Sequence, residues 1–527
     1  MRGGASLDIT VFLGLVVVAA VVAAAVRVVR IPYTVALVLT GLALALLPNV
    51  PRLALTPGVI LTVFLPVLLF YGAYNLDLAD LRATLTPVTL LAVPGVAATA
   101  ALVGAALRLA VGLEWPEALL FGAIVAATDP VAVLAIFGEV GAPRRLSAIV
   151  TGESLFNDGI ALVLVATLAG VAATHAFDAG VTAEHFAIEA GGGLALGAAV
   201  GVLGSVVLYR IDDALLETTF TLIMAYGGYL LADRLGSSGP LETVAAGLLL
   251  GRRGGDVMSA TTRLQARATW EFLDFLANSL LFLLVGLELR PIAEVTLARL
   301  GLGIWRPLLV AVVAVVVARA IVVGAVSLVL ARARQPIPRG WRTVLVWAGL
   351  RGAVSLAAAL SLPASLPRRD LLLTLTFGVV LFTLVAQGLT IRPVLRWRGL
   401  VTAEAPGHGL ELALGRLRTV EAAAREVAAL RRLDALDAGT ARRLADDYAR
   451  RRHALRARLD ATYHGEGAGA LERVALRHLT RVQREVARDA YARGEISAET
   501  LRELSDEIDR ELKGLAPGVA PDGADGA

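Results

Sequence analysis

Two acidic side chains and an amide lie close together inside an otherwise apolar stretch, 151-TGESLFNDGIALVL-164: Glu153, Asn157 and Asp158. A charge at bilayer depth is costly, so such residues are rare in membrane segments unless they work or are paired. On a helix, Glu153 and Asn157 share one stripe, and Ser154 and Asp158 share the neighbouring stripe. The stretch therefore predicts a helix with a polar face whose oxygens could hold a cation. A structural hydrogen-bond network between helices is the alternative interpretation.

A further acid precedes a proline in the apolar segment FGAIVAATDPVAVLAIFG. Because Pro130 has no N–H and its ring crowds the preceding turn, the helix should break near Thr128 and Asp129. The carbonyl groups freed by the break are tolerated in a membrane only where they are buried or line a wet cavity. A carboxylate beside free carbonyls is a cation site in outline. Asp129 could also cap the second half-helix, and the two roles are compatible.

Two arginines lie in the middle of later apolar segments: Arg351 in VLVWAGLRGAVSLAAALSLP and Arg319 in VVAVVVARAIVVGAV. Each should face an acid or water, because an isolated Arg at that depth is very costly. We expect Arg351 to form a structural ion pair with Glu153, which would hold that charge fixed. Arg319 is a possible additional member of the site, with a structural salt bridge as its alternative.

The composition indicates a membrane body followed by a soluble tail. Of the 527 residues, 57% are hydrophobic and 18% are charged, whereas soluble domains carry about 25% charged residues. The apolar blocks end near residue 400, which divides the chain into a transmembrane domain at 1–398 and a helical cytoplasmic tail at 399–527. The last residues, APGVAPDGADGA, are expected to be disordered.

A helix needs about 20 apolar residues to cross a bilayer, and thirteen segments are candidates, with loose boundaries: 8–29, 32–48, 57–75, 85–110, 117–138, 146–173, 185–209, 214–232, 240–251, 268–289, 302–330, 341–362 and 370–391. With the N-terminus outside, the inner loops hold seventeen Arg and the outer loops nine. The positive-inside rule therefore predicts an outer N-terminus and a cytoplasmic C-terminus. This bias also accounts for the basic pI of 9.6 without a nucleic-acid partner.

Position along the chain suggests two inverted repeats. If spans 1–6 and 8–13 correspond, the fifth span matches the twelfth, and these are the two that Pro or Gly interrupts beside a charge. Paired broken helices in matching positions are typical of a transport site near the membrane midplane.

Other function classes find little support in the sequence. Cysteine is absent and the six histidines are not spaced as a metal pair, so we predict no thiolate chemistry and no resident metal. The sequence shows no nucleophile–base set and no phosphate loop, and we therefore expect neither an enzyme nor a cofactor. A gated cation channel or membrane sensor remains a rival, although no selectivity filter and no regular arginine ladder is present.

Three motifs resemble those of the monovalent cation:proton antiporters of the NhaP and sodium/proton-exchanger type: ATDPVAV, GESLFNDG and AGLRGAVSLA. The stretches WEFLDFLANSLLFLLVGLEL and LVAQGLTIRP are weaker matches, and the five occur in the family's order across residues 8–398. The resemblance implies an all-α, thirteen-helix NhaA-like fold with two broken crossing helices. It also implies a homodimer in the cell membrane that exchanges Na⁺ or Li⁺ for H⁺.

The resemblance also implies a role for each motif residue. Asp158 would bind either the cation or a proton. Asp129, Ser154 and the backbone carbonyl of Thr128 would complete the Na⁺ coordination, and Asn157 would steady the site. Asparagine before that aspartate is the pattern of electroneutral members, which exchange one proton for one sodium ion.

The chain departs from the family pattern in two places. Tyr71 and Gly72 stand where many relatives carry an acid, which leaves the cation preference open, and K⁺/H⁺ exchange in the same site is the main alternative. Glu242 stands where relatives have a small apolar residue, and we expect it to be an exposed acid at a helix end, with a place in an entrance funnel near the outer end as the alternative.

Overall fold

The computed structural model describes residues 9–29, 31–47, 57–174, 179–211, 213–363, 365–400, 406–432 and 436–463, together with a few isolated positions beyond them. The chain divides into two compact units, Met1–Val401 and Thr402–Ala527. Within the described ranges the secondary structure is helical and contains no strand. The predicted all-α class is therefore confirmed for these ranges. The predicted disordered end lies outside them.

The first unit contains twenty helices, which follow one another in chain order. The first ten are α1 (Ile9–Val29), α2 (Tyr33–Ala45), α3 (Pro57–Val59), α4 (Leu65–Asn75), α5 (Leu78–Ala83), α6 (Leu85–Ala92), α7 (Pro94–Val111), α8 (Trp115–Ile124), α9 (Val131–Val140) and α10 (Arg144–Thr174). The next ten are α11 (Ala179–Leu208), α12 (Ala214–Leu222), α13 (Gly228–Arg234), α14 (Gly239–Val257), α15 (Ala260–Leu300), α16 (Trp305–Arg332), α17 (Arg339–Trp347), α18 (Ala353–Leu360), α19 (Arg369–Phe382) and α20 (Gly388–Trp397). These counts refer to the part of the chain that the structure describes.

Several of these helices are continuous with the next one. Short π-helical segments at Ile60–Phe64, Ile223–Gly227 and Thr383–Gln387 join α3 to α4, α12 to α13 and α19 to α20. Seven helical stretches in the described ranges are long and apolar enough to cross a membrane: Leu85–Val111, Arg144–Ala172, Gly180–Leu208, Ala214–Arg234, Thr261–Glu288, Trp305–Arg332 and Arg369–Trp397. Five shorter apolar helices accompany them. All thirteen predicted segments contain helix, while the number that cross a membrane stays a prediction.

Close helix packing surrounds the centre of the first unit. Gly41 of α2 and Gly286 of α15 face one another, and a Cβ on Gly286 would lie 2.2 Å from the carbonyl oxygen of Val38. Only glycine permits this approach of two helix backbones. Trp270 of α15 is fully buried and stacks on Phe70 of α4, with ring centroids 4.5 Å apart. The helices α4 and α15 are thereby held together beside α10.

Glu242 is not the exposed acid that the sequence predicts. It lies in the first turn of α14 and is fully buried. The Thr243 hydroxyl donates to its Oε2 at 3.2 Å. The prediction was wrong because α11 and α13 pack on the beginning of α14: Gly197 of α11 faces the Glu242 backbone, and Gly228 of α13 faces its carboxylate.

In the second unit, two described helices pack against each other: α21 (Pro406–Arg432) and α22 (Ala438–Tyr463). Arg456 bridges to Glu421 between them at 2.9 Å. Hydrogen bonds from Thr440 and from the Gly439 N–H hold the pKa of the Asp437 carboxyl below its ordinary value at the start of α22.

Candidate cation and proton site

The first interruption lies between α8 and α9, where the predicted proline break occurs. The helix ends at Ile124 and resumes at Val131, and residues 125–130 are not helical. The Asp129 carboxylate accepts a hydrogen bond from the Val131 N–H at 2.9 Å. Asp129 therefore caps α9 with one oxygen, as one of the two interpretations of the sequence predicts.

The second interruption lies between α17 and α18 and meets the first. The Asp129 N–H donates to the carbonyl of Leu350 at 2.8 Å. A Cβ on Gly352 would lie 2.1 Å from Asp129 Oδ2. The two broken helices therefore cross in direct contact, and the absence of a side chain at Gly352 makes room for the carboxylate.

We expect Gly352→Ala to disturb the crossing. The added methyl group must displace the Asp129 carboxylate, which lies within 2.1 Å of its position. Overpacking a tight site in this way costs about 1–3 kcal/mol. Ion exchange should fall about tenfold or more, because a displacement of about 1 Å is enough to disrupt the geometry of a functional group, as it is in enzymes. Thermal unfolding in detergent and an exchange assay would measure both effects. Gly324→Ala on α16 is the matched control, since no atom lies within 4 Å of its added Cβ. Equal behaviour of the two variants would contradict this prediction.

Asp158 reaches the crossing from α10. It is only 8% exposed, and its Oδ1 has no hydrogen-bond partner among the described residues. Asp158 lines a cavity of about 250 Å³ together with Thr128, Asp129 and Ser154. A buried carboxylate oxygen without a donor is energetically unfavourable unless a proton or a cation accompanies it. The cavity supplies a place for either.

Hydroxyl and amide groups tie α10 to the first interruption. The hydroxyls of Thr128 and Ser154 are 3.0 Å apart and hydrogen-bonded. Asn157 donates to the Ala126 carbonyl at 3.2 Å and to the Thr128 hydroxyl at 2.9 Å. Asn157 thus uses its amide group to hold the unwound backbone against α10. The structure brings together all five residues of the predicted cation site, and their binding role stays a prediction.

The ion pair of Glu153 forms with a different arginine from the predicted one. Arg319 of α16 holds both carboxylate oxygens of Glu153: Nη1 bonds Oε1, and Nη2 lies 2.9 Å from Oε2. Its Nε donates to the Leu345 carbonyl at 3.1 Å. Arg351 instead turns back on its own segment and donates from Nη1 to the Gly349 carbonyl at 2.7 Å. The predicted partner was wrong because Arg319 occupies both oxygens of Glu153, while Arg351 donates to a carbonyl of the unwound backbone beside it.

Comparison with known proteins places this arrangement in a family. The model of the sodium/hydrogen exchanger transmembrane domain matches residues 16–397. The chain belongs to the sodium/hydrogen exchanger family. It is a multi-pass membrane protein.

Two curated relatives show how close the similarity is. The chain is 41% identical over 379 residues to the Na(+)/H(+) antiporter ApNhaP of Aphanothece halophytica. The matched region covers 71% of this chain and 70% of the relative. It is 42% identical over 351 residues to the Na(+)/H(+) antiporter NhaP of Pseudomonas aeruginosa, covering 64% of this chain and 80% of the relative.

A solved structure supports the fold. The sodium proton antiporter MjNhaP1 from Methanocaldococcus jannaschii matches with a TM-score of 0.62 and 20% identity, over 75% of this chain and 99% of that one. The predicted antiporter fold is thereby confirmed, whereas the inverted repeats remain a prediction.

In this sodium/hydrogen exchanger, sequence analysis missed two polar residues of the cavity. Asp274 and Asn278 of α15 line it together with residues of both interruptions. Asn278 donates to Asp274 Oδ1 at 3.0 Å. The signal for them is an aspartate inside the apolar stretch WEFLDFLANSLLFLLVGLEL. Among the described residues, no group of three or more His, Cys, Asp or Glu is placed to hold one metal ion.

Proposed function

We propose that this exchanger moves Na⁺ or Li⁺ in one direction and H⁺ in the other across the cell membrane, by alternating access around Asp158. The observation that carries the proposal is the buried Asp158 oxygen without a donor, in a cavity at the crossing of two broken helices. The family membership and the names of the curated relatives support Na⁺ as the cation.

Asp158, Asp129, the Ser154 hydroxyl and the Thr128 backbone carbonyl form the cation shell in this proposal. All four supply oxygen, which suits a hard cation such as Na⁺ or Li⁺. Asn157 does not coordinate the cation. It holds the interrupted backbone in place through its hydrogen bonds to the Ala126 carbonyl and the Thr128 hydroxyl. The transported ions are substrates, and no resident cofactor is involved.

One carboxylate serves both substrates. Burial disfavours the charged form of Asp158, so in the absence of a cation a proton stabilises it, while a bound cation stabilises the charged form. The two ions therefore exclude one another at Asp158, and exposure of the site to each side in turn gives exchange without ATP. Glu153 takes no part in this cycle because Arg319 neutralises it. With one exchangeable carboxylate, one proton leaves for one sodium ion, and the exchange is electroneutral.

The proposal includes the assembly and the orientation that the sequence predicts. The protein is a homodimer with its N-terminus outside and its charged tail in the cytoplasm. The arginine-rich ends of the helices then face the cytoplasm, as the positive-inside rule requires.

A transport assay with three cations separates the candidate functions. In proteoliposomes with an imposed proton gradient, we expect Na⁺ and Li⁺ to dissipate the gradient and K⁺ to leave it in place. Clamping the membrane potential at different values should not change the rate, because the exchange carries no net charge. Dissipation by K⁺ at the same rate would favour K⁺/H⁺ exchange. A cation conductance without proton movement would favour a channel.

A further inference from the structure

A stripe of polar residues on α15 leads to the cavity. Arg267, Glu271, Asp274 and Asn278 follow one another at spacings of four, three and four residues, which places them on one face of the helix. Exposure falls along the stripe: Arg267 and Glu271 are exposed, Asp274 is half-buried and Asn278 is buried. The stripe therefore connects the accessible beginning of α15 with the interior of the protein.

Asp274 and Asp158 line the same cavity. Asn278 holds Asp274 Oδ1 at 3.0 Å, and among the described residues no donor reaches Oδ2 and no arginine pairs with the carboxylate. Asp158 is also without a partner at Oδ1, and it is more than nine-tenths buried. Two carboxylates with open coordination thus lie in one cavity of about 250 Å³, without forming a single metal cluster.

The cavity is lined by residues of α4 as well as α15, including Tyr71. Tyr71 lies four residues before α4 ends at Asn75. Asp274 lies on α15, which packs against α4, and it lines the same cavity as Tyr71. Among the residues that line this cavity, α4 therefore contributes no carboxylate, whereas α15 contributes Asp274.

We propose that Asp274 is a cation-binding residue on the route to Asp158: it attracts the incoming monovalent cation into the cavity and releases it to the Asp129–Asp158 site. The inference rests on the proposed exchange function. A carboxylate at this point raises the local cation concentration without contributing to the exchange step itself. Asn278 keeps the carboxylate oriented and leaves Oδ2 free for the ion.

Na⁺ titration of proton movement in proteoliposomes tests this role. Asp274→Asn removes one charge near the path, and we expect the KM for Na⁺ to rise about 5- to 20-fold, the range that one nearby charge can produce. The maximal rate at saturating Na⁺ should stay within about a factor of two of the unaltered protein, since high Na⁺ compensates for weaker attraction. Glu271→Gln is the matched control, because it removes the same charge one turn away outside the cavity lining, and it should leave the KM almost unchanged.

Moving the carboxylate provides an independent check. Tyr71→Glu alone should lower the KM for Na⁺, and combined with Asp274→Asn it should restore the KM to near its original value. An unchanged KM in both Asp274→Asn and Tyr71→Glu would overturn the inference. A lower maximal rate of Asp274→Asn with an unchanged KM would overturn it as well, because that pattern indicates a structural role. Na⁺-dependent exchange that persists in Asp158→Asn would instead contradict the proposed function itself.

Discussion

Asp158→Asn is expected to abolish Na⁺-dependent proton movement, down to the level of liposomes that contain no protein. The amide is similar in size to the carboxylate, so the packing of α10 should survive, but it can neither release a proton nor balance a cation. Because both substrates depend on this one group, no exchange route remains. Fluorescence of a trapped pH indicator, recorded after addition of Na⁺, would measure the effect.

Asp233→Asn is the control for this experiment. Asp233 is exposed near the end of α13 and does not line the cavity, so the same chemical change there should leave exchange within about a factor of two, as expected for a surface substitution. Recovery of both variants with the thermal stability of the unaltered protein would show that the fold is intact. Exchange by Asp158→Asn at the rate of Asp233→Asn would refute the assignment of Asp158 as the carrier.

The second large effect concerns the buried ion pair of Glu153 and Arg319. Both side chains are nearly inaccessible, at 2% and 6% exposure, and they share two hydrogen bonds. Removing one partner leaves an uncompensated buried charge, which typically costs about 3–5 kcal/mol. We therefore expect Arg319→Met and Glu153→Gln each to lower thermal stability in detergent strongly. The combined variant should be less destabilised than the sum of the two, because neither charge is then left alone.

An exposed ion pair in the same protein serves as a comparison for the stability contribution of the buried pair. Arg392 bridges to Glu139 with side-chain exposures of 31% and 60%, and such pairs contribute about 0–1 kcal/mol. Glu139→Gln should therefore change the stability only slightly. A double-mutant cycle identifies the partner of Glu153: strong coupling to Arg319 and weak coupling to Arg351 would agree with the structure. The opposite result would reinstate the pairing predicted from the sequence.

Much of the fold could be predicted because its causes are local. A long apolar stretch must be helical in a membrane, since each backbone polar group then finds its partner within the same segment. The break before Val131 follows from Pro130, which cannot continue the hydrogen-bond pattern of a helix. The second break, around Arg351, is marked by its two flanking glycines. The sequence alone therefore determined the helical class and the positions of both interruptions.

The same local chemistry predicted most of the candidate site. Thr128 and Asp129 belong to the first break, and Ser154, Asn157 and Asp158 share one face of α10. Helical periodicity brought these residues to the right side of α10. That the break and the helix face meet, through hydrogen bonds of Thr128 with Ser154 and Asn157, is a property of the assembled structure.

Partner choice was decided only by the tertiary structure. Glu153 and Arg319 are 166 residues apart in the chain, and nothing near either residue indicates which arginine would reach the acid. Asp274 likewise enters the cavity because α15 packs against α4, and Glu242 is buried because α11 and α13 cover the beginning of α14. Apolar content and proline act along the chain and are visible in the sequence. Which charge meets which depends on how separate helices are rotated and packed, and those contacts exist only in the folded protein.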